Sequence, residues 1–230
     1  MKTPRKLALY TYLAFSLLFL PSVLSAQEEL LESCFINAQA VNQGKEIFWT
    51  DLEPCNALVV QLDRLDLSDR QEIALRLNRA ILLTELTEFA RAKADLEAGF
   101  LIDPQSVYLQ MNMGVLSMVE QNYASAIASF SLVLEIEPIK PLALFNRALA
   151  YIYLEDLVSS VNDLLTLQFE HPSEYLAWVT EESLPTLWPL LPELINPDEN
   201  FQEEGALPDQ LEGLNGSTID VQRIKPIPGG

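Results

Sequence analysis

The chain has 230 residues, with 33 acidic against 14 basic side chains, one histidine and a net charge of −19. A surface this acidic repels nucleic acid and anionic lipid headgroups, which excludes both as favoured partners. Eight glycines and two cysteines form no phosphate-cradling loop, dinucleotide fingerprint or zinc spacing, so no cofactor, metal or specific small-molecule site is expected.

Residues 1–26 have the layout of a secretory signal peptide. Lys2, Arg5 and Lys6 form a basic head, residues 7–20 carry no charge, and small residues lead to Ala26. The apolar run is shorter than the roughly 20 residues that cross a bilayer, and Pro21 breaks it off, so cleavage after Ala26 is expected. Gln27, rather than a cysteine, stands next, which gives no support to a lipid-modified N-terminus. Cleavage removes three basic residues and no acidic one, moving the net charge from −19 to −22. The expected location is outside the cytoplasm: the periplasm in a Gram-negative bacterium, otherwise the secreted fraction. A membrane enters as a partner only if the signal stays uncleaved as an anchor.

Residues 27–72 read as a degenerate helix pair that caps a repeat array. Leu30, Leu31, Cys34 and Ala38 have helical spacing, Asn42-Gln43-Gly44 breaks it, and a second helix near Pro54 carries Leu58, Leu62 and Leu65. Cys34 and Cys55 are the two cysteines, and an oxidising compartment favours their disulfide. Closing that loop would contribute about 3 kcal/mol in the chain-entropy model.

The array itself has a repeat of 34 residues, in the units 73–106, 107–140 and 141–174, marked by Pro104, Pro138 and Pro172. Four further columns fall into register: Ala80, Gly114 and Ala148; Phe89, Tyr123 and Leu157; Ala92, Ala126 and Ser160; Leu96, Phe130 and Leu164. Small residues let antiparallel helices approach, large ones fill the space beside them, and each proline ends a second helix. Thr87, Asn122 and Asp156 are the expected N-caps of those second helices. Residues 175–192 read as a capping helix, 173 to about 183, and an apolar, proline-punctuated segment, 184–192. Residues 193–230 are acidic and aperiodic and read as a disordered tail. The expected fold is all-α: an α-solenoid of antiparallel helix pairs with that tail.

With Gly114, Tyr123, Ala126, Phe130 and Pro138 in the family's places, the stretch 73–174 resembles the tetratricopeptide repeat family. Arg76, Gln110 and Leu144 depart from its early large aromatic. The resemblance implies a concave groove lined by the first helix of each pair, where a partner peptide binds. The groove positions become Ala74, Leu77, Ile81 and Thr84, then Tyr108, Met111, Val115 and Met118, then Leu142, Phe145, Leu149 and Ile152. All but Thr84 are apolar or aromatic, which does not suit capture of a terminal carboxylate. An apolar strip of this kind needs a cover, either a partner or this chain's own 184–192 segment. Beside it runs an amide column, Asn78, Asn112 and Asn146. The column either holds a bound peptide's backbone, as the resemblance implies, or bonds within the array. Arg79 and Arg147 follow two of these asparagines as candidate structural partners for acids.

Chemistry finds little support. A nucleophilic triad would have to use His171, which precedes a repeat-ending proline and reads as a solvated turn residue. The acids at 198–199 and 203–204 lack the loop of a calcium site. The expected function is therefore a non-catalytic scaffold or adaptor for a protein or peptide partner. The alternatives are a membrane-tethered subunit of an envelope complex and, third, an exported enzyme.

Overall fold

The computed structural model describes residues 26–180 and 184. The signal at 1–25, the 185–192 segment and the tail at 193–230 lie outside the described residues. Those described form nine α-helices and two 3-10 turns, with no strand: α1 (Ala26–Asn42), α2 (Glu53–Val59), α3 (Asp69–Glu85), α4 (Phe89–Ile102), α5 (Val107–Val119), α6 (Tyr123–Ile136), α7 (Pro141–Tyr153), α8 (Leu157–Glu170) and α9 (Pro172–Trp178). The helices α3/α4, α5/α6 and α7/α8 pack as successive pairs, each stacked on the next, so the architecture is a helical-repeat solenoid.

The period is kept to the residue. Phe89, Tyr123 and Leu157 open the second helices, each 34 residues after the last, and Ile102, Ile136 and Glu170 close them at the same interval. Each closure falls two residues before a proline, which disfavours helical geometry in its predecessor. The first helices end at Glu85, Val119 and Tyr153, again in register. The first repeat starts earlier than the sequence suggests, at Asp69. Ser68 opens it, its N–H donating to Gln71 Oε1 at 3.0 Å, so the helix gains a turn on Ile73.

The three intra-pair turns share one backbone device. Thr87, Gln121 and Glu155 have φ of 62°, 60° and 61°, in the left-handed region. The following N–H groups, of Glu88, Asn122 and Asp156, donate back to the carbonyls of Leu83, Ser117 and Tyr151 at 2.8–2.9 Å. These are Schellman closures built without glycine, each at a backbone cost of about 1–2 kcal/mol. The finding corrects one expected cap: Thr87 is the left-handed residue, and Glu88 holds the N-cap place with no side-chain bond. Asn122 and Asp156 do cap their helices, accepting from the N–H groups of Ser125 (3.3 Å) and Ser159 (3.1 Å).

The N-terminal pair is a shortened version of the same unit. Cys34 and Cys55 are joined, with their Cα atoms 5.0 Å apart, and both are wholly buried. The bridge ties α1 to α2, and α1 packs on α3. The expected second helix does not continue to Leu65. It ends at the β-branched Val59, Gln61 leaves helical geometry (φ −113°, ψ 10°), and Leu62–Arg64 is a 3-10 turn. The core forms two apolar clusters that meet across α5. Leu109 and Leu116 belong to the first, with the disulfide, and Met111, Val115 and Met118 to the second. At the other end α9 is shorter than expected, stopping at Trp178, where Val179 turns extended.

Candidate binding surface

Helical spacing brings the inner-strip side chains of α5 and α7 to adjoining faces, and the second apolar cluster contains them all except Tyr108. What the sequence leaves open is their cover. Met111, Val115, Met118, Phe145, Leu149 and Ile152 are all buried, whereas Tyr108 is 56% exposed and Leu142 is half-buried. Tyr175, Val179 and Leu184 complete the same cluster, and the Trp178 ring lies 5.8 Å from that of Phe145. On α3 the strip is more open: Ala74 is exposed, and Leu77, Ile81 and Thr84 are half-buried. Lys140 sits 5.6 Å from the centre of the Tyr108 ring, a cation over the exposed aromatic of the strip.

The amide column divides in the same way. Asn112 is buried and donates from Nδ2 to the carbonyl of Tyr108, four residues earlier on its own helix, at 2.9 Å. That bond makes Asn112 a rung within the array. Asn146 is fully buried, while Asn78 is half-buried on the more open helix.

The arginines next to the column have a structural role. Arg79 makes a two-pronged pair with Asp95, both bonds 2.6 Å, and Arg147 repeats it with Asp163 at 2.7 and 2.8 Å. Each then reaches the preceding pair of helices, Arg79 to Asn56 (3.4 Å) and Arg147 to Ser131 (3.0 Å). Both acids are buried. Burial pushes the Asp163 carboxyl up, against the hydrogen bond and charge of Arg147, and that hydrogen bond raises Arg147 in turn. The middle repeat carries Met113 and Ser129 at the equivalent positions, so the bridge occurs in alternate repeats. Spacing alone made the arginines candidates, but their acids lie sixteen residues on, on the partner helix, and only the fold pairs them.

Tyr123 and Tyr153 stack with centroids 4.4 Å apart and planes within 1°. Burial, and then the neighbouring Tyr123, push the Tyr153 hydroxyl up to about 12. His171 lies in the inter-repeat turn, as expected, partly exposed, and it makes one contact that the sequence does not announce. Its Nε2 meets the carbonyl of Ile139, 32 residues earlier, so it ties two successive inter-repeat turns together. A carbonyl accepts, which assigns the proton to Nε2. Among the described residues no group of three or more His, Cys, Asp or Glu is placed to hold a metal, and no helix is long and apolar enough to cross a membrane.

Comparison of the chain with family models, with curated proteins and with solved structures returns no match.

Proposed function

We propose that this chain is an exported interaction protein of tetratricopeptide type, a non-catalytic scaffold or adaptor that binds a protein segment. The observation that carries the reading is the helix-pair array itself, kept to a 34-residue period over three repeats. An array of this kind presents a continuous series of equivalent helix faces, which suits an extended partner read by several repeats at once. The Cys34–Cys55 bridge supports a place outside the reducing cytoplasm. The accessible face for the partner is Leu77, Asn78 and Ile81 on α3 with Tyr108 on α5, continuing to Leu142 on α7.

Two measurements test it. Sequencing the mature N-terminus is expected to begin at Gln27, and a chain still starting at Met1 in the membrane fraction would favour the tethered reading. Crosslinked pull-down from native envelope material is expected to recover one saturable partner. Tyr108→Ala with Leu77→Ser should lose that partner while the helical circular-dichroism signal stays unchanged. No saturable partner after crosslinking would overturn the interaction reading, and retention by the double variant would overturn this choice of face.

A further inference from the structure

The inter-repeat edge of the array carries exposed apolar side chains at each of three successive turns. The second helices α4, α6 and α8 end at this edge, and the next first helices begin there. Leu101 on α4 and Phe169 on α8 hold the same place in the repeat, two periods apart, and are 87% and 84% exposed. Ile136 at the end of α6, Ile139 in the turn after it and Leu176 on α9 are exposed as well. Two contacts tie the three turns together. Lys140, in the second turn, stands over the ring of Tyr108, which follows the first. His171, in the third, meets the carbonyl of Ile139 in the second. Large apolar groups held in water along one edge by packed helix ends gain free energy from a cover.

The charges beside them decide which cover fits. Asp103, Glu135, Glu137 and Glu170 are exposed on the same edge. Between Lys93 and Arg223 the sequence has two lysine or arginine side chains, Lys140 and Arg147. Lys140 is held by Glu137 at 3.1 Å, and Arg147 by Asp163 at 2.7 Å. A second copy of this chain would bring the same acids against the edge, and an anionic bilayer would bring phosphates, so both are repelled. We propose that the inter-repeat edge docks a cationic amphipathic segment of another protein. Its apolar side chains cover Leu101, Ile136, Ile139, Phe169 and Leu176, while its lysines or arginines meet the flanking acids. The acids set partner choice and the rate of encounter, and the apolar groups hold the complex once formed. This surface lies apart from the α3 face, so it gives the array a second, chemically different site.

The test uses the full mature chain and a synthetic peptide of leucine and lysine in helical alternation. A lysine–glycine peptide of equal charge is the control, and binding is read by fluorescence anisotropy. The leucine–lysine peptide is expected to bind saturably and to weaken with salt. Leu101→Ser with Phe169→Ser should weaken it by about tenfold or more, with the helical signal unchanged, because both side chains already face water. Glu137→Gln with Glu170→Gln should also weaken it, whereas Glu120→Gln with Glu155→Gln, at the opposite edge, should change affinity by less than about twofold. Equal weakening by the two acid pairs, or equal binding of the lysine–glycine peptide, would overturn the proposal, since the overall charge would then suffice. Loss with Leu77→Ser would overturn it by placing the peptide on α3. Sedimentation showing a dimer that Phe169→Ser dissolves would overturn it in favour of a second copy, and no binding by the full chain would overturn it outright. None of these outcomes touches the crosslinked partner expected at the α3 face, so the two readings fail separately.

Discussion

A Cβ built on Gly114 would stand 2.5 Å from Cε1 of Phe130, a ring that is itself wholly buried and has nowhere to move. Alanine in a helix interior normally gains about 1 kcal/mol over glycine. Here the clash outweighs that gain, since overpacking costs about 1–3 kcal/mol. Gly114→Ala is therefore expected to lower the melting temperature, read by circular dichroism. Gly99→Ala should cost less, because its new methyl meets the tips of the Leu109 side chain instead. Ser160 presents the reverse case. Its hydroxyl is buried with no hydrogen-bond partner, in a column otherwise held by Ala92 and Ala126. Ser160→Ala should stabilise by about 1 kcal/mol, visible as a higher melting temperature. Tyr153 sets a pH limit. Its hydroxyl ionises near 10 in the unfolded chain and at about 12 in the fold, so the unfolded chain binds fewer protons between those values and stability falls as pH rises through that window. Denaturant midpoints measured from pH 9 to 12 should drop in the native chain and drop less in Tyr153→Phe.

Between helices, the two-pronged pairs Arg79–Asp95 and Arg147–Asp163 raise the question of whether the bridge or merely its shape is needed. The middle repeat already answers with Met113 and Ser129 in the same places. Arg147→Met alone leaves a buried carboxylate without its cation and should cost about 3–5 kcal/mol. Adding Asp163→Ser should recover most of that loss, and a double-mutant cycle of denaturant midpoints checks the coupling. The sequence shows why this was only half legible. Periodic columns such as Ala80, Gly114 and Ala148 reveal which residues meet, because close approach demands small side chains at fixed intervals. They do not reveal burial. The pattern says that Met111 and Phe145 need a cover, but the columns alone leave open whether a partner or this chain's own residues supply it; in the fold Tyr175, Val179 and Leu184 share their cluster. The left-handed turns were hidden for a related reason. Thr87, Gln121 and Glu155 carry no glycine, so no residue type announces a conformation that only the recurring closure bonds impose. In α2, Leu58, Leu62 and Leu65 kept helical spacing, yet the backbone left the helix after Val59.

At the scale of the whole array, packing runs from each helix pair to the next, and stability is then close to a sum over pairs and the interfaces between them. The first pair is the weakest, with α2 of only seven residues, and the disulfide compensates. Reduction should destabilise by about 3 kcal/mol, and hydrogen exchange should show α1 and α2 losing protection well before α7 and α8. The same bridge has a mechanical meaning. Pulled by its two ends, a solenoid of nearest neighbours yields pair by pair, releasing length in steps. The span between Cys34 and Cys55 is withheld from that release: 21 residues would extend to roughly 70 Å at about 3.4 Å each, but the bond keeps their Cα atoms 5.0 Å apart. A single-molecule stretching record should therefore lengthen by roughly 65 Å on adding reductant, and an unchanged contour length would mean that the covalent clamp is not closed in the protein under load.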